Sequence, residues 1–282
     1  MSTTLENLPK LPSPYPAYRR ALWSMLTQSG DPRQLPELGV RVAGVTVDPR
    51  RLAAYREVCG LPPSDQLPIT YPQVLAGSLH LHLLSRPQFT LPLLGLIHVA
   101  NRIHRRRPLA AGQPLDLKVR IGESRRAKRG LEFDLLTEAA IGAVTVWSAS
   151  ATVLQLRNRS GDGKQRPKTA GASSYQRFDA PADIGRRYAR VSGDYNPIHL
   201  SAASARMFGF PRAIAHGMWT LARCLSLLPG VDADSLDELT VQFKQPLLLP
   251  AQAALRWRGD GLPRTFELVG DSGRVHLSGG LR

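Results

Sequence analysis

Acidic residues are scarce in this chain of 282: 22 Asp and Glu stand against 37 Lys and Arg, a formal charge of +15. The partner expected from that imbalance carries phosphates or carboxylates, because the charge concentrates polyanions around the molecule. Cysteine is nearly absent. Cys59 and Cys224 alone are too few for a disulfide scaffold, and both fall in apolar helical stretches where they read as buried free thiols. Aromatic residues make up only 6%. The two basic runs, 102–107 and 125–129, hold none and match no nucleic-acid motif, so they offer no stacking platform for bases and read as solvated turns, with docking of a ligand's phosphates or of an acidic protein as the alternative. Long apolar runs are missing as well. The longest, 74–84 and 91–100, contain His80, His82, Pro92 and His98 and fall short of the ~20 residues a membrane span needs. The first ten residues lack the basic start and apolar core of a signal peptide, so the expected location is cytoplasmic.

What is present is a globular composition, 43% apolar and 21% charged, punctuated by 24 Gly and 23 Pro. Residues 1–39 hold Pro9, Pro12, Pro14, Pro16, Pro32 and Pro36 around one helix predicted over 18–27, with Leu22, Met25 and Leu26 as its apolar side; they read as a packed extension. Residues 40–47 alternate as a strand. Asp48-Pro49 then starts a helix through Leu52, Tyr55 and Cys59, which Gly60 ends. The pattern recurs: Asp179 caps, Pro181 enters the first turn, Ile184, Tyr188 and Val191 form a face, and Gly193 closes. Tyr55, Val58 and Gly60 fall on Tyr188, Val191 and Gly193 when the chain is slid along itself.

Each copy continues into a helix that is apolar around its circumference, over 72–85 and 217–228. Four strand-like stretches follow each helix, near 96–103, 115–121, 131–138 and 144–154, then near 238–243, 253–257, 265–269 and 274–281. Two α+β units result, 40–156 and 175–282, joined by a polar linker over 157–174 and able to pair edge to edge. Gly193 stands 24 positions before the second apolar helix at Gly217, whereas Gly60 stands only 12 before Pro72. The first copy thus lacks a segment.

That segment carries the chemistry. Asn196 precedes a proline and leaves helical geometry, so Asp194 and His199 should share one turn at the end of the helix. A carboxylate beside an imidazole can activate water near neutral pH. Gly217 opens a helix whose first amides are unpaired, and without a Cβ it lets a substrate oxygen approach.

At Tyr188, Ser192-Gly193-Asp194, Asn196-Pro197-Ile198-His199, Gly209-Phe210, Ile214-Ala215-His216-Gly217-Met218 and Phe243-Lys244-Gln245-Pro246, the chain resembles the MaoC-like, hydratase-2 family of (R)-specific enoyl-CoA hydratases and dehydratases. The first unit is similar to the degenerate N-terminal half of double-hot-dog members. The resemblance implies an α+β double hot dog, each sheet wrapped around its apolar helix, with a non-catalytic unit at 40–156 and a catalytic one at 175–282. It implies Asp194 and His199 as the dyad, Asn196 and Gly193 supporting the turn, and the Gly217 amide as oxyanion donor. Lys244, Arg105 and Arg106 are candidate contacts for CoA phosphates. No metal or other cofactor is implied. The expected substrate is an acyl-CoA, or an acyl carrier protein thioester, with neither nucleic acid nor membrane as partner and with room for a homodimer. Alternatives are a dehydratase of branched or aromatic acyl groups, or a non-catalytic thioester binder. His216 reads as a packed histidine bonded to backbone, and His80, His82 and His98 as core or rim residues without a metal-ligand set.

Overall fold

The computed structural model describes residues 4–27, 35–93, 95–156, 174–262 and 264–282, without the side chains of 4 and 21–27. The side chains of the predicted apolar side of the first helix, Leu22, Met25 and Leu26, and nearly all of the predicted linker lie outside what the structure describes. The first half runs β1 (Thr4–Leu8), α1 (Pro14–Thr27), β2 (Leu38–Val45), α2 (Pro49–Cys59), α3 (Tyr71–Leu75), α4 (Gly77–Leu84), β3 (Leu96–Arg105), β4 (Leu115–Ala127), β5 (Gly130–Ile141) and β6 (Val144–Leu156). The second runs β7 (Ser174–Ala180), α5 (Ile184–Ser192), a 3-10 turn (Pro197–His199), α6 (Ala202–Arg206), α7 (Gly217–Leu227), β8 (Glu238–Phe243), β9 (Ala251–Arg258), β10 (Arg264–Gly270) and β11 (Val275–Leu281).

All eleven strands form one sheet in the order β1-β2-β4-β5-β6-β3-β8-β11-β10-β9-β7. Read inward from each end after β1, the halves have the same order, and the antiparallel pair β3–β8 joins them, with Arg102 opposite Thr240. This is the double hot dog. The sheet curls around two helices whose inward residues are sealed: Leu79 and Leu83 in α4, Leu221, Ala222 and Cys224 in α7. Both cysteines are buried and free. Helix α2 begins as predicted, with the Asp48 carboxylate accepting from Arg50 N–H and Gly60 in the left-handed region at φ 69°. It is also the bridge between halves. Arg51 Nε donates to Val191 O (2.9 Å), Trp219 Nε1 to Val58 O (3.0 Å), and Arg56 forks onto both Asp234 oxygens (2.9 and 2.8 Å).

Several expected boundaries are corrected. Helix α1 starts at Pro14, because prolines cost no hydrogen bond in a first turn. Asp179 does not cap α5. It lies in β7 opposite Gln252, whose amide it accepts at 3.2 Å, and α5 begins at Ile184 once the pairing with β9 is complete. The first apolar helix breaks at Ala76 into α3 and α4. The repeat register shifts too. Leu67 N–H donates to Leu109 O where Ala215 N–H donates to Leu247 O, and the bridge Gln66↔Ala110 answers Ile214↔Leu248. Position 69, an isoleucine, therefore matches Gly217, and the shorter copy has only 9 steps from Gly60 where the longer has 24 from Gly193.

Candidate active site

Helix α5 stops at Gly193, whose φ of 79° is open to glycine at little cost. The chain then folds a turn that holds itself. Asp194 N–H donates to Ser192 Oγ (3.2 Å), Asn196 N–H to Asp194 Oδ1 (3.1 Å), Ile198 N–H to Asn196 Oδ1 (3.4 Å) and His199 N–H to Asn196 O (3.0 Å). Pro197 at the start of the 3-10 turn fits because its missing N–H is not needed there. Gly185 sets the height of that turn: a Cβ on it would run into the His199 carbonyl oxygen.

The chemistry faces one point. His199 Nδ1–H donates to Ile214 O at 2.8 Å, since a carbonyl only accepts. Its Nε2 is left with the lone pair. Burial lowers the affinity of His199 for a proton despite the nearby Asp194 carboxylate, so the ring is neutral at neutral pH. Burial pushes the Asp194 carboxyl the other way, but His216, His199, the Tyr18 hydroxyl and the Asn196 amide together outweigh it and hold the group ionised. Asp194 Oδ1 accepts from Tyr18 Oη–H at 2.8 Å, while its side chain stays 47% accessible through the cavity. Beneath, His216 stacks on His199 with centroids 3.7 Å apart and donates from Nε2 to Asp194 O at 3.0 Å. It is the backbone-bonded packing residue expected, pushed down to about 3 by burial.

Asp194, His199 and His216 bring ligating atoms within 4.8 Å of one another. The His216 Nε2 that would face a metal carries a proton committed to Asp194 O. Two free donors remain, one fewer than catalytic zinc sites generally draw from protein.

Gly217 opens α7, and among the described residues no acceptor pairs with its N–H. The space its Cβ would take is filled by the Phe243 ring, 3.0–3.2 Å away. The glycine therefore makes room for Phe243, not directly for a substrate oxygen.

Around these groups lies a cavity of about 1470 Å³. Asp194, His199 and Gly217 stand on its wall, and Leu81, Leu84, Leu96, Leu135 and Val153 extend it into the first half. His80 and His98 are on this wall as well. His80 bonds Thr137 Oγ1 (2.8 Å), and burial pushes both rings down to about 4. His82 bonds Glu6 instead (3.0 Å).

Of the three suggested phosphate contacts, only Lys244 lines the cavity. Arg105 is 3% exposed and points into the core from the far end of β3, about 20 Å from the cavity residue Val99 at the usual strand rise. Arg106 is exposed but away from the cavity. Arg129, at the end of the second basic run, lines it too, and Arg212 and Arg274 line it and were missed. The other basic residues of the second run are exposed, and Arg125 bridges Glu132 (3.2 Å) and Asp134 (2.9 Å). Sequence reasoning also missed Tyr18 and Gly185. The spacing of Tyr15 and Tyr18 on one helix face and a glycine inside a predicted helix were the available signals.

Residues 162–265 match the family model described as MaoC like domain. Over 235 residues the chain is 38% identical to 3-hydroxyacyl-thioester dehydratase X of Mycobacterium tuberculosis, covering 81% of this chain and 83% of that one. The crystal structure of HtdX from the same organism superposes with a TM-score of 0.75 at 32% identity, over 86% of this chain and 99% of that one. A further M. tuberculosis protein, Rv0216, described as a double hotdog fold, matches at a TM-score of 0.53 and 13% identity over 84% and 92% of the two chains, which speaks to the fold alone.

Proposed function

The chain belongs to the MaoC-like dehydratase family and is a hydro-lyase acting on thioesters, and from that premise we propose the reversible hydration of trans-2-enoyl thioesters to (R)-3-hydroxyacyl thioesters at the Asp194–His199 turn. The observation that carries this is the nearness of two acceptors on one cavity wall: a ring nitrogen of His199 and a carboxylate oxygen of Asp194 lie within 4.8 Å of each other, and the Nδ1 bond to Ile214 O leaves His199 Nε2 free. A water held by both donates one hydrogen to each. His199 takes one proton from the water as the water oxygen bonds to C3 and the C2=C3 electron pair shifts toward the thioester carbonyl; the same proton is then passed to C2, so that one OH and one H have been added and His199 is neutral again. The reverse sequence expels water. The Gly217 N–H, at the positive end of α7, is the donor for the thioester oxygen, where charge develops. The (R) configuration is carried over from the family resemblance.

The substrate is an acyl-CoA, with Lys244 toward its phosphates, and an acyl carrier protein thioester is the alternative carrier. No metal or redox group takes part in the proposed steps. The reach of the cavity into the first half favours long or branched acyl groups. That half is non-catalytic in this reading, because Ile69 and Pro68 replace Gly217 and His216 and the dyad segment is missing.

The test is loss of enoyl absorbance with crotonyl-CoA and longer enoyl-CoA or enoyl-carrier substrates. Asp194→Asn should lower kcat by about 10²–10⁴, the usual worth of a positioned acid–base group. A wild type inert at every chain length, or an Asp194→Asn variant as active as wild type, would refute the reading.

A further inference from the structure

The N-terminal arm reaches the site from the opposite half. Strand β1 pairs in parallel with β2, from Thr4 opposite Leu38 to Leu8 opposite Val42. Glu6 accepts from Arg86 (2.7 Å) and bonds His82 (3.0 Å) at the end of α4, and Arg20 donates to Ser85 Oγ (3.0 Å). The arm is thus clipped to the first half both before α1 and within it. Tyr15 and Tyr18, three residues apart, share a helix face, and that face meets the second half. The Tyr15 ring stacks on Tyr195 with centroids 5.8 Å apart and planes at 28°, and Tyr18 Oη–H reaches Asp194, 176 positions away.

We propose that Tyr18 is a positioning residue for the Asp194 carboxylate, supplied to the second half's active site by an arm anchored on the first. The inference rests on the reading of Asp194 as the water-binding carboxylate. Oδ1 receives two donors, Asn196 N–H and Tyr18 Oη–H. Two directional bonds to one oxygen stop the carboxylate rotating about Cβ–Cγ and leave Oδ2 as the acceptor for water. With Asn196 alone, the two oxygens can exchange. Burial first, and the neighbouring carboxylate second, keep the Tyr18 phenol protonated far above the working pH, so it remains a donor throughout. The same bond favours the ionised form of Asp194 against the burial that opposes it.

Tyr18→Phe removes the hydroxyl and keeps the ring. Two readouts are taken on the full chain: kcat and KM with an enoyl-CoA, and the titration of the Asp194 carboxyl by ¹³C NMR after labelling at aspartate Cγ. The Asp194→Asn variant identifies the resonance by its absence. Expected are a kcat lower by about tenfold with KM within about twofold, and an Asp194 titration beginning about one pH unit higher, the scale of one hydrogen bond to a charged group. Wild-type kcat, or a lower kcat with an unmoved titration, would overturn the role. If instead Asp194→Asn turned over like wild type while Tyr18→Phe still moved the resonance, the proposed function would fail although the Tyr18 contact stood.

Discussion

Gly185→Ala tests how closely the dyad depends on one missing methyl group. In an ordinary helix the change is favourable by about 1 kcal/mol, because alanine restricts the unfolded chain and suits the helix. Here the new Cβ is driven into the His199 carbonyl oxygen. That oxygen is backbone, fixed on one side by the 3-10 turn and on the other by the Ile214 bond to the His199 ring. Relief needs a main-chain shift, and such overpacking costs about 1–3 kcal/mol. The clash should win. Net destabilisation of about 1 kcal/mol lowers Tm by about 2–4 °C at this size. Activity should fall further, since a 1 Å displacement of a reacting group costs about 10²-fold. Differential scanning calorimetry and steady-state hydration kinetics on the same sample provide both numbers. An alanine variant equal to or more stable than wild type, with full turnover, would mean that the turn is not held by this packing.

Two further outcomes follow from buried charge. Among the described residues, Asp234→Ala leaves the Arg56 guanidinium, 3% exposed, with only the Pro62 and Gln66 carbonyls. Breaking a buried pair costs about 3–5 kcal/mol, so a Tm fall of at least about 6 °C is expected, and a change within 1 °C would contradict it. The second outcome concerns acid. His216 is held neutral by burial down to about 3, and His80 and His98 down to about 4. Their folded values lie below the unfolded one near 6.5, so the unfolded chain binds more protons as pH drops through that window. Stability is then lost from about pH 6.5 downward, by up to about 1.4 kcal/mol per pH unit for a fully buried ring such as His216. Melts from pH 7.5 to 4.5 should show Tm falling across this range, and a flat profile would exclude the burial described.

Strand placement was legible because alternation reports a half-buried face, and the Asp194–His199 turn because Gly193 and Pro197 dictate local geometry without outside help. The register of the repeat was not. Both central helices are apolar on all sides, so nothing in their sequence fixed where one copy aligned with the other, and Pro72 stood in for Ile69. Arg105 was misplaced for a related reason. Three consecutive arginines look solvated, but strand alternation turns the first of them inward. Tyr18 was beyond reach, because its meaning lies in a contact across 176 positions. Gly217 shows a subtler limit: the absence of a side chain was visible, but the occupant of the space, Phe243, was not.

The counterpart of the Gly217 amide is already committed. Ile69 N–H donates to Ala233 O at 2.8 Å, in the segment that leads into β8 and is latched by Arg56. The place an oxyanion would need is occupied by the sister repeat's own main chain. Rebuilding a second reaction centre would demand more than grafting the missing residues, for it would mean evicting a piece of scaffold on which the working half relies.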